Sequence, residues 1–178
     1  MDKKRVEELV GAHGFEDYRW IDAKEIAVRQ WVRSMCIHSC PDYGQKAVCP
    51  PNMPSIAECE RFFAEYDKAL IIRFAMEAHH RGQDSAVFSD IDESLLELEK
   101  SLFYEGHPKA LLLPATVCYR CEECTQSLEA CRFKEKARPT PEALGVDLFT
   151  TVKKVGYPLD VLKDMDDTMN RYAILMVA

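Results

Sequence analysis

Four cysteines about two thirds of the way along the chain are spaced Cys118-x2-Cys121-x2-Cys124-x6-Cys131. A thiol in an ordinary core behaves as a small hydrophobe and has no reason to recur at every third residue. Three thiols within seven residues suit a loop wrapped around a metal centre. The C-x2-C-x2-C spacing matches that of a bacterial iron–sulfur run, in which a fourth cysteine follows after three residues. Here Cys131 follows after six, so it either closes the same cluster or reaches elsewhere. Zinc is the alternative. A structural zinc site would pair Cys118 and Cys121 with Cys124 and Cys131 in a tetrahedron, which is cramped at this spacing. A disulfide framework belongs to small secreted domains and is the weakest of the three readings.

The rest of the chain narrows the setting. It has 178 residues, long enough for one domain with its own core, and eight cysteines. No apolar h-region follows the charged start MDKKRVEELV, so a secretory signal is not expected, and the thiols point to a reducing cytoplasm and to metal. No apolar run approaches the ~20 residues of a membrane helix. A net charge of −7 argues against a broad nucleic-acid-binding surface.

A second cluster of thiols lies earlier, as Cys36-x3-Cys40-x8-Cys49 within RSMCIHSCPDYGQKAVCPPNMP. Proline follows Cys40 and Cys49 directly, which pushes each cysteine out of the helical region and onto stiffened, extended chain. With Gly44, Asn52 and Pro54 the segment reads as loop. The C-x3-C-x2-C motif of radical SAM enzymes is broken, because Tyr43 stands where its third cysteine would be. His38 is a candidate non-cysteine ligand. Cys59 differs from the other seven. Ser55 and Glu58 form a capping box before Ile56, Cys59, Phe63 and Tyr66, so Cys59 falls on the apolar stripe of a helix and reads as a core thiol.

The remaining pattern sketches a fold. Residues 2–12 read as a short amphipathic helix. Between Phe15 and Val32 neither helix nor strand is favoured, and Tyr18, Trp20 and Trp31 read as core or rim aromatics. KALIIRFA, from Lys68, reads as a buried strand. An exposed connection from Glu77 to Ser85 carries His79 and His80, weak evidence for metal. Ser89 is expected to cap a helix running to Tyr104, with a stripe of Ile91, Leu95, Leu98 and Leu102. KALLL, from Lys109, is a second strand, so the pair suggests a βαβ unit and a parallel pair, with the cluster loop at a strand's C-terminal end. Thr140-Pro141 opens a short turn before Gly145, Asp147 caps another helix, and RYAILMVA finishes the chain as a strand that must be buried.

These residues carry a resemblance. Trp31-Val32-Arg33, the CPDYG and CPP elements, the Cys118–Cys131 run and KARPTPEALGVDLFTTVKKVGYP resemble an uncharacterised family of predicted metal-binding, cysteine-rich proteins from anaerobic bacteria and archaea, across residues 26–160. The resemblance implies an iron–sulfur type of metal binding through Cys36, Cys40, Cys49, Cys118, Cys121, Cys124 and Cys131. It departs from the family pattern at Ser39, where glycine is expected, and at Phe133-Lys134, where a proline is expected nearby.

The expectation is therefore a single α/β domain over residues 1–178, with α+β as the variant, built on a small mixed sheet flanked by helices and bearing cysteine-rich loops. One or two 4Fe-4S clusters acting in electron transfer are the leading reading, with a three-cysteine site having an open coordination position as a second centre. A zinc-binding structural or delivery module is the alternative. Arg132, Lys134, Lys136 and Arg138, against Glu135, form a basic stretch. It suits an acidic redox partner such as a ferredoxin or flavodoxin, or an anaerobic enzyme partner.

Overall fold

In the computed structural model, residues 1–77, 84–164 and 167–178 are described, the side chains of 76, 77 and 84–88 excepted. The centre of the molecule is the strand foreseen at the C-terminus, β4 (Thr168–Met176). It pairs antiparallel with β2 (Lys68–Glu77) on one side and with the short β3 (Leu111–Leu113) on the other. A fourth strand, β1 (Tyr18–Asp22), adds antiparallel to the outer edge of β2, giving the order β1-β2-β4-β3.

Both strands of the expected βαβ unit exist and run in the same direction, joined by the helix α4 (Asp84–Tyr104). They do not pair. β4 is inserted between them, so the described sheet is antiparallel throughout instead of mixed. The physical reason is burial: β4 is apolar on both faces, and only a central position covers both.

Alternation along the strands feeds two cores. Ala69, Ile71, Leu113, Ile174 and Met176 face one side of the sheet, with Cys59 and Phe63 of α3 (Ile56–Ala64) and Leu148 and Val152 of α5 (Leu148–Lys154). Leu70, Ile72, Leu112, Ala173 and Leu175 face the other side. They meet Val6 and Val10 of α1 (Lys3–Ala12) and Leu95, Leu98 and Leu102 of α4. Each fully buried leucine of that stripe contributes ~1.5–3 kcal/mol.

Local signals account for most boundaries. The capping box closes, with Ser55 N donating to Glu58 Oε2 at 2.8 Å and Ser55 Oγ accepting from Glu58 N. Asp147 Oδ1 accepts from Thr150 N at the start of α5, and Gly156 (φ 76°) follows its end. α4 begins five residues before Ser89, at Asp84, so Ser89 lies within the helix and does not cap it. His79, His80 and Gly82, in the expected connection, lie outside the described residues.

The undecided stretch resolves into β1, a 3-10 turn at Ala23–Glu25 and the start of a helix, α2 (Gln30–Ser39). α2 corrects the reading of residues 33–54 as loop throughout, because Cys36 sits on its last turns. Its N-cap, Arg29, makes no side-chain cap bond, and only Val32 within it is buried. Both usual helix signals are therefore missing. Its large apolar residues Trp31, Met35 and Ile37, each 46–52 % exposed, face outward. Trp31 is thus a cavity-rim aromatic, whereas Tyr18 and Trp20 pack partly buried against the core.

Candidate metal centre

The loop after β3 runs from Pro114 to Pro139 without helix or strand, as a metal-wrapping segment requires. Cys118, Cys121, Cys124 and Cys131 all line one small cavity of about 10 Å³. Ala47 and Val48, from the other cysteine-rich loop, form its opposite wall. The Ala47 amide donates to Cys124 Sγ at 3.3 Å, so the N-terminal loop supplies a hydrogen bond to a thiol of the C-terminal run. Burial pushes the Cys118 thiol up, while the Arg120 backbone N–H and guanidinium pull it back.

Cys36, Cys40 and Cys49 converge separately. They line a second cavity of about 300 Å³, whose far wall is the Ala115–Val117 segment with Tyr119. Cys36 follows Val32 by four residues on α2 and so sits one turn along the same side of the helix. Cys40 is the C-cap, extended at φ −91° and ψ 123°, as the following proline demands. Cys49 is 6 % exposed, and burial raises its thiol to about 12, with Asp42 and the neighbouring cysteines adding to the effect. Burial raises the Cys36 thiol as well, so Cys36 and Cys49 hold their protons until a cation takes the proton's place.

The two loops are fastened together. Asn52 Nδ2 donates to Gln126 O at 2.8 Å and to Lys46 O at 3.3 Å, and Lys46 Nζ lies 5.3 Å from the Tyr119 ring centroid. Gln126 is the one non-glycine with positive φ (56°) among the described residues. A strained residue in a ligand loop persists where its surroundings over-determine it, and Asn52 holds this one. No sequence pattern pointed to either residue.

Other predicted site residues separate out. Cys59 is 1 % exposed in the core, lines neither cavity and directs its thiol to Pro54 O at 3.6 Å. His38 is exposed on α2 and is not among the residues lining either cysteine cavity. The basic stretch does lie against the C-terminal thiols, through Phe133 and Ala137. Much of its charge is matched, however. Lys136 pairs with Glu93 at 3.0 Å, and Arg138 holds Glu99 at 3.0 Å through Nε and 2.7 Å through Nη2. Glu99 is 7 % exposed and also accepts from Leu112 N at 2.7 Å. One buried carboxylate on the leucine face of α4 thus anchors both β3 and the end of the cysteine loop. It was invisible in sequence because it sits beside that stripe like an ordinary helix-surface glutamate.

The donor set therefore comprises seven thiols in two converging groups, without competing hard ligands at the C-terminal cavity, and soft sulfur of this kind selects zinc or iron–sulfur. Among the described residues, no three such side chains are drawn tightly enough around one point to hold a single ion. A zinc tetrahedron with Zn–S near 2.3 Å needs its sulfurs ~3.8 Å apart. The profile of one family, the predicted metal-binding proteins of DUF2284, matches residues 19–177. The chain belongs to this family. That membership agrees with metal binding and reaches further along the chain at both ends than the motifs quoted from sequence. It takes in most of β1 and the whole of β4. No curated protein and no solved structure matches the chain. No described helix is long and apolar enough to cross a membrane.

Proposed function

We propose that this protein binds iron–sulfur clusters and works in electron transfer. Cys118, Cys121, Cys124 and Cys131 would hold a 4Fe-4S cluster, and Cys36, Cys40 and Cys49 a second whose fourth coordination position is open. The observation carrying this reading is the division of the thiols: four share one cavity, three share another, and Cys59 is excluded from both. A cluster so held supplies one-electron chemistry. The hydrogen bonds between the two loops support a relay, because they keep the two thiol groups adjacent and fixed. The remaining exposed cations, Arg132 and Lys134, favour an acidic redox protein as partner, Arg120 near Cys118 being paired with Glu93.

A specific observation favours a second reading for the C-terminal group. Its cavity is the size of an ion, so zinc in a structural role would be held by the four thiolates once their sulfurs, which line that cavity without yet closing on one point, draw in. Anaerobic isolation followed by iron, zinc and acid-labile sulfide analysis separates the two. Brown protein that becomes EPR-active on reduction is expected. Colourless protein with stoichiometric zinc and no sulfide after anaerobic reconstitution would end the electron-transfer reading.

A further inference from the structure

A chamber of about 570 Å³ adjoins the three-cysteine cavity and shares Cys36, Cys40 and Ala115 with it. Four consecutive residues of β4, Met169 to Tyr172, line this chamber. Side chains along a strand alternate between the two faces of a sheet, so a cavity lying on one face cannot meet all four. The chamber therefore runs along an edge of β4. β2 covers one edge over the whole of Thr168–Met176, whereas β3 covers the other only from Ile174 to Met176. The open edge is the one that continues past β3, where the chain leaves the sheet at Pro114 and Ala115 to begin the cysteine loop.

The hydrogen-bond pattern names the groups on that edge. Arg73 N donates to Asp17 O at 2.9 Å, towards β1, and Val177 N donates to Lys68 O at 3.1 Å, towards β2. Arg73 stands opposite Tyr172, and antiparallel ladders alternate. Odd-numbered residues of β4 therefore turn their N–H and C=O groups to β2, and even-numbered ones turn theirs away. Of these, Ile174 and Met176 are met by Leu113 and Leu111 of β3. Asn170 and Tyr172 lie past its end, and among the described residues no backbone group pairs with their N–H or C=O on that side. The Asn170 side-chain oxygen is buried beside them, also without a donor. Main-chain donors and acceptors left unpaired two residues apart on an extended strand match the main chain of one further strand.

The setting selects what can supply that strand. Met169 and Tyr172 are 6 % and 2 % exposed, so the edge is recessed, with Trp31 and Met35 of α2 and Phe149 of α5 around it. A second folded copy cannot bring a sheet edge into such a cleft, whereas a single extended segment can. The lining is also acidic. Glu142, Asp147 and Asp160 stand against one cation, Arg171, which is already engaged, and Asp42 adds to the excess from the adjoining cavity. Asp147 is occupied in capping α5, but Asp160 has only a loose pairing with Lys153 at 3.8 Å. Basic residues beside the added strand complement this charge. We propose that the open edge of β4 binds an extended peptide segment of a partner protein by strand addition, antiparallel, in the place β3 would fill had it continued. Two alternate residues of the segment exchange main-chain hydrogen bonds with Asn170 and Tyr172. Their apolar side chains lie on the Tyr172 face of the sheet, the face that α5 covers. What the strand offers to an open iron as it passes Cys36 and Cys40 rests on the iron–sulfur reading above; the strand addition itself does not.

The probe is the peptide acetyl-Lys-Val-Thr-Val-Lys-amide, titrated by calorimetry into the anaerobically isolated protein, and saturable binding is expected. Methylating the two valine nitrogens removes the N–H groups that face β4 and should weaken binding roughly tenfold or more, whereas methylating the threonine nitrogen, which faces away, should change it less than about twofold. In residue-resolved hydrogen exchange, the Asn170 and Tyr172 amides should exchange fast in the free protein and slow about tenfold or more with saturating peptide. The Arg171 and Ala173 amides, already directed to β2, should not change. Phe149→Lys, at a position 40 % exposed, removes an apolar wall and repels the lysines, so it should weaken binding with the fold intact. The absence of saturable binding, or equal loss from both methylation patterns, would overturn the proposal. So would Asn170 and Tyr172 amides that are already slow in the free protein, because the edge would then be taken by a second copy or by the chain itself. The two ideas fail separately. Protein with iron and sulfide that ignores the peptide keeps the cluster reading and loses this one, whereas zinc protein that binds the peptide does the reverse.

Discussion

Replacing Cys59 by alanine tests how the eight cysteines divide, since arithmetic alone would make two groups of four. Cys59 is 1 % exposed and packs on the sheet face with Phe63, Ile71 and Val152. Its thiol makes a long hydrogen bond to Pro54 O at 3.6 Å, and the Arg33 guanidinium lies close enough to interact with it. The substitution removes one methylene-sized atom from a sealed core, a transfer loss of ~0.8 kcal/mol. If neighbours do not relax, a residual void of ~25 Å³ adds ~0.6 kcal/mol. The expected loss is therefore ~1.5 kcal/mol, a fall in Tm of roughly 3–6 °C for a chain of this length. Iron and sulfide content should be unchanged. By contrast, Cys49→Ala should lose the metal of the three-cysteine site and Cys121→Ala that of the four-cysteine site. Urea titration with parallel metal and sulfide analysis reads both quantities. The reasoning fails if Cys59→Ala loses as much iron as Cys49→Ala while circular dichroism shows an intact fold. Both sites would then be closed, and the chain a two-cluster carrier.

Four further outcomes follow from individual contacts. Burial raises the Asp92 carboxyl to about 6, with the Thr116 hydroxyl and Arg120 pulling it back. Because the folded state holds this proton more tightly than the unfolded chain, stability falls as pH rises from about 4 to about 6 and stays lower above. Asp92→Asn should therefore gain ~1–2 kcal/mol relative to wild type between pH 4 and 7, after discounting for partial exposure; a difference that does not change with pH refutes this. Arg138→Met strands the nearly buried Glu99 and should cost ~3 kcal/mol in urea unfolding, while adding Glu99→Gln, which keeps an acceptor for Leu112 N, should recover much of it. Gly145→Ala places a Cβ 2.4 Å from Ile56 Cδ1 at a φ of 80°, so a loss of ~1–2 kcal/mol is expected by thermal melting. Cluster reduction by an acidic ferredoxin should slow as salt rises, because exposed charges are screened beyond ~10 Å at 0.1 M; a flat rate would remove the basic stretch from the partner surface.

Much of this architecture is written locally. The capping box at Ser55, the leucine stripe of α4, the Asp147 cap and the apolar run of β4 each depend on neighbours within a few residues, so the chain itself determines them. The thiol spacing likewise determines that residues 118–131 form a loop, and the proline after Cys40 determines that α2 stops there. Even the exclusion of Cys59 was legible, because a helical stripe names its buried face. What tertiary structure alone decided is everything that joins distant segments. The insertion of β4 between β2 and β3 pairs residues about a hundred positions apart, and no local preference encodes which strands become neighbours. α2 forms without a side-chain cap or a buried stripe because the 145–147 segment holds its approach by backbone hydrogen bonds. Glu99, Gln126 and Glu142 read as ordinary polar residues in sequence. Each acquires its surroundings from what folding brings against it: Arg138 for the first, Asn52 for the second, and for the third a cavity shared with three cysteines and Arg171.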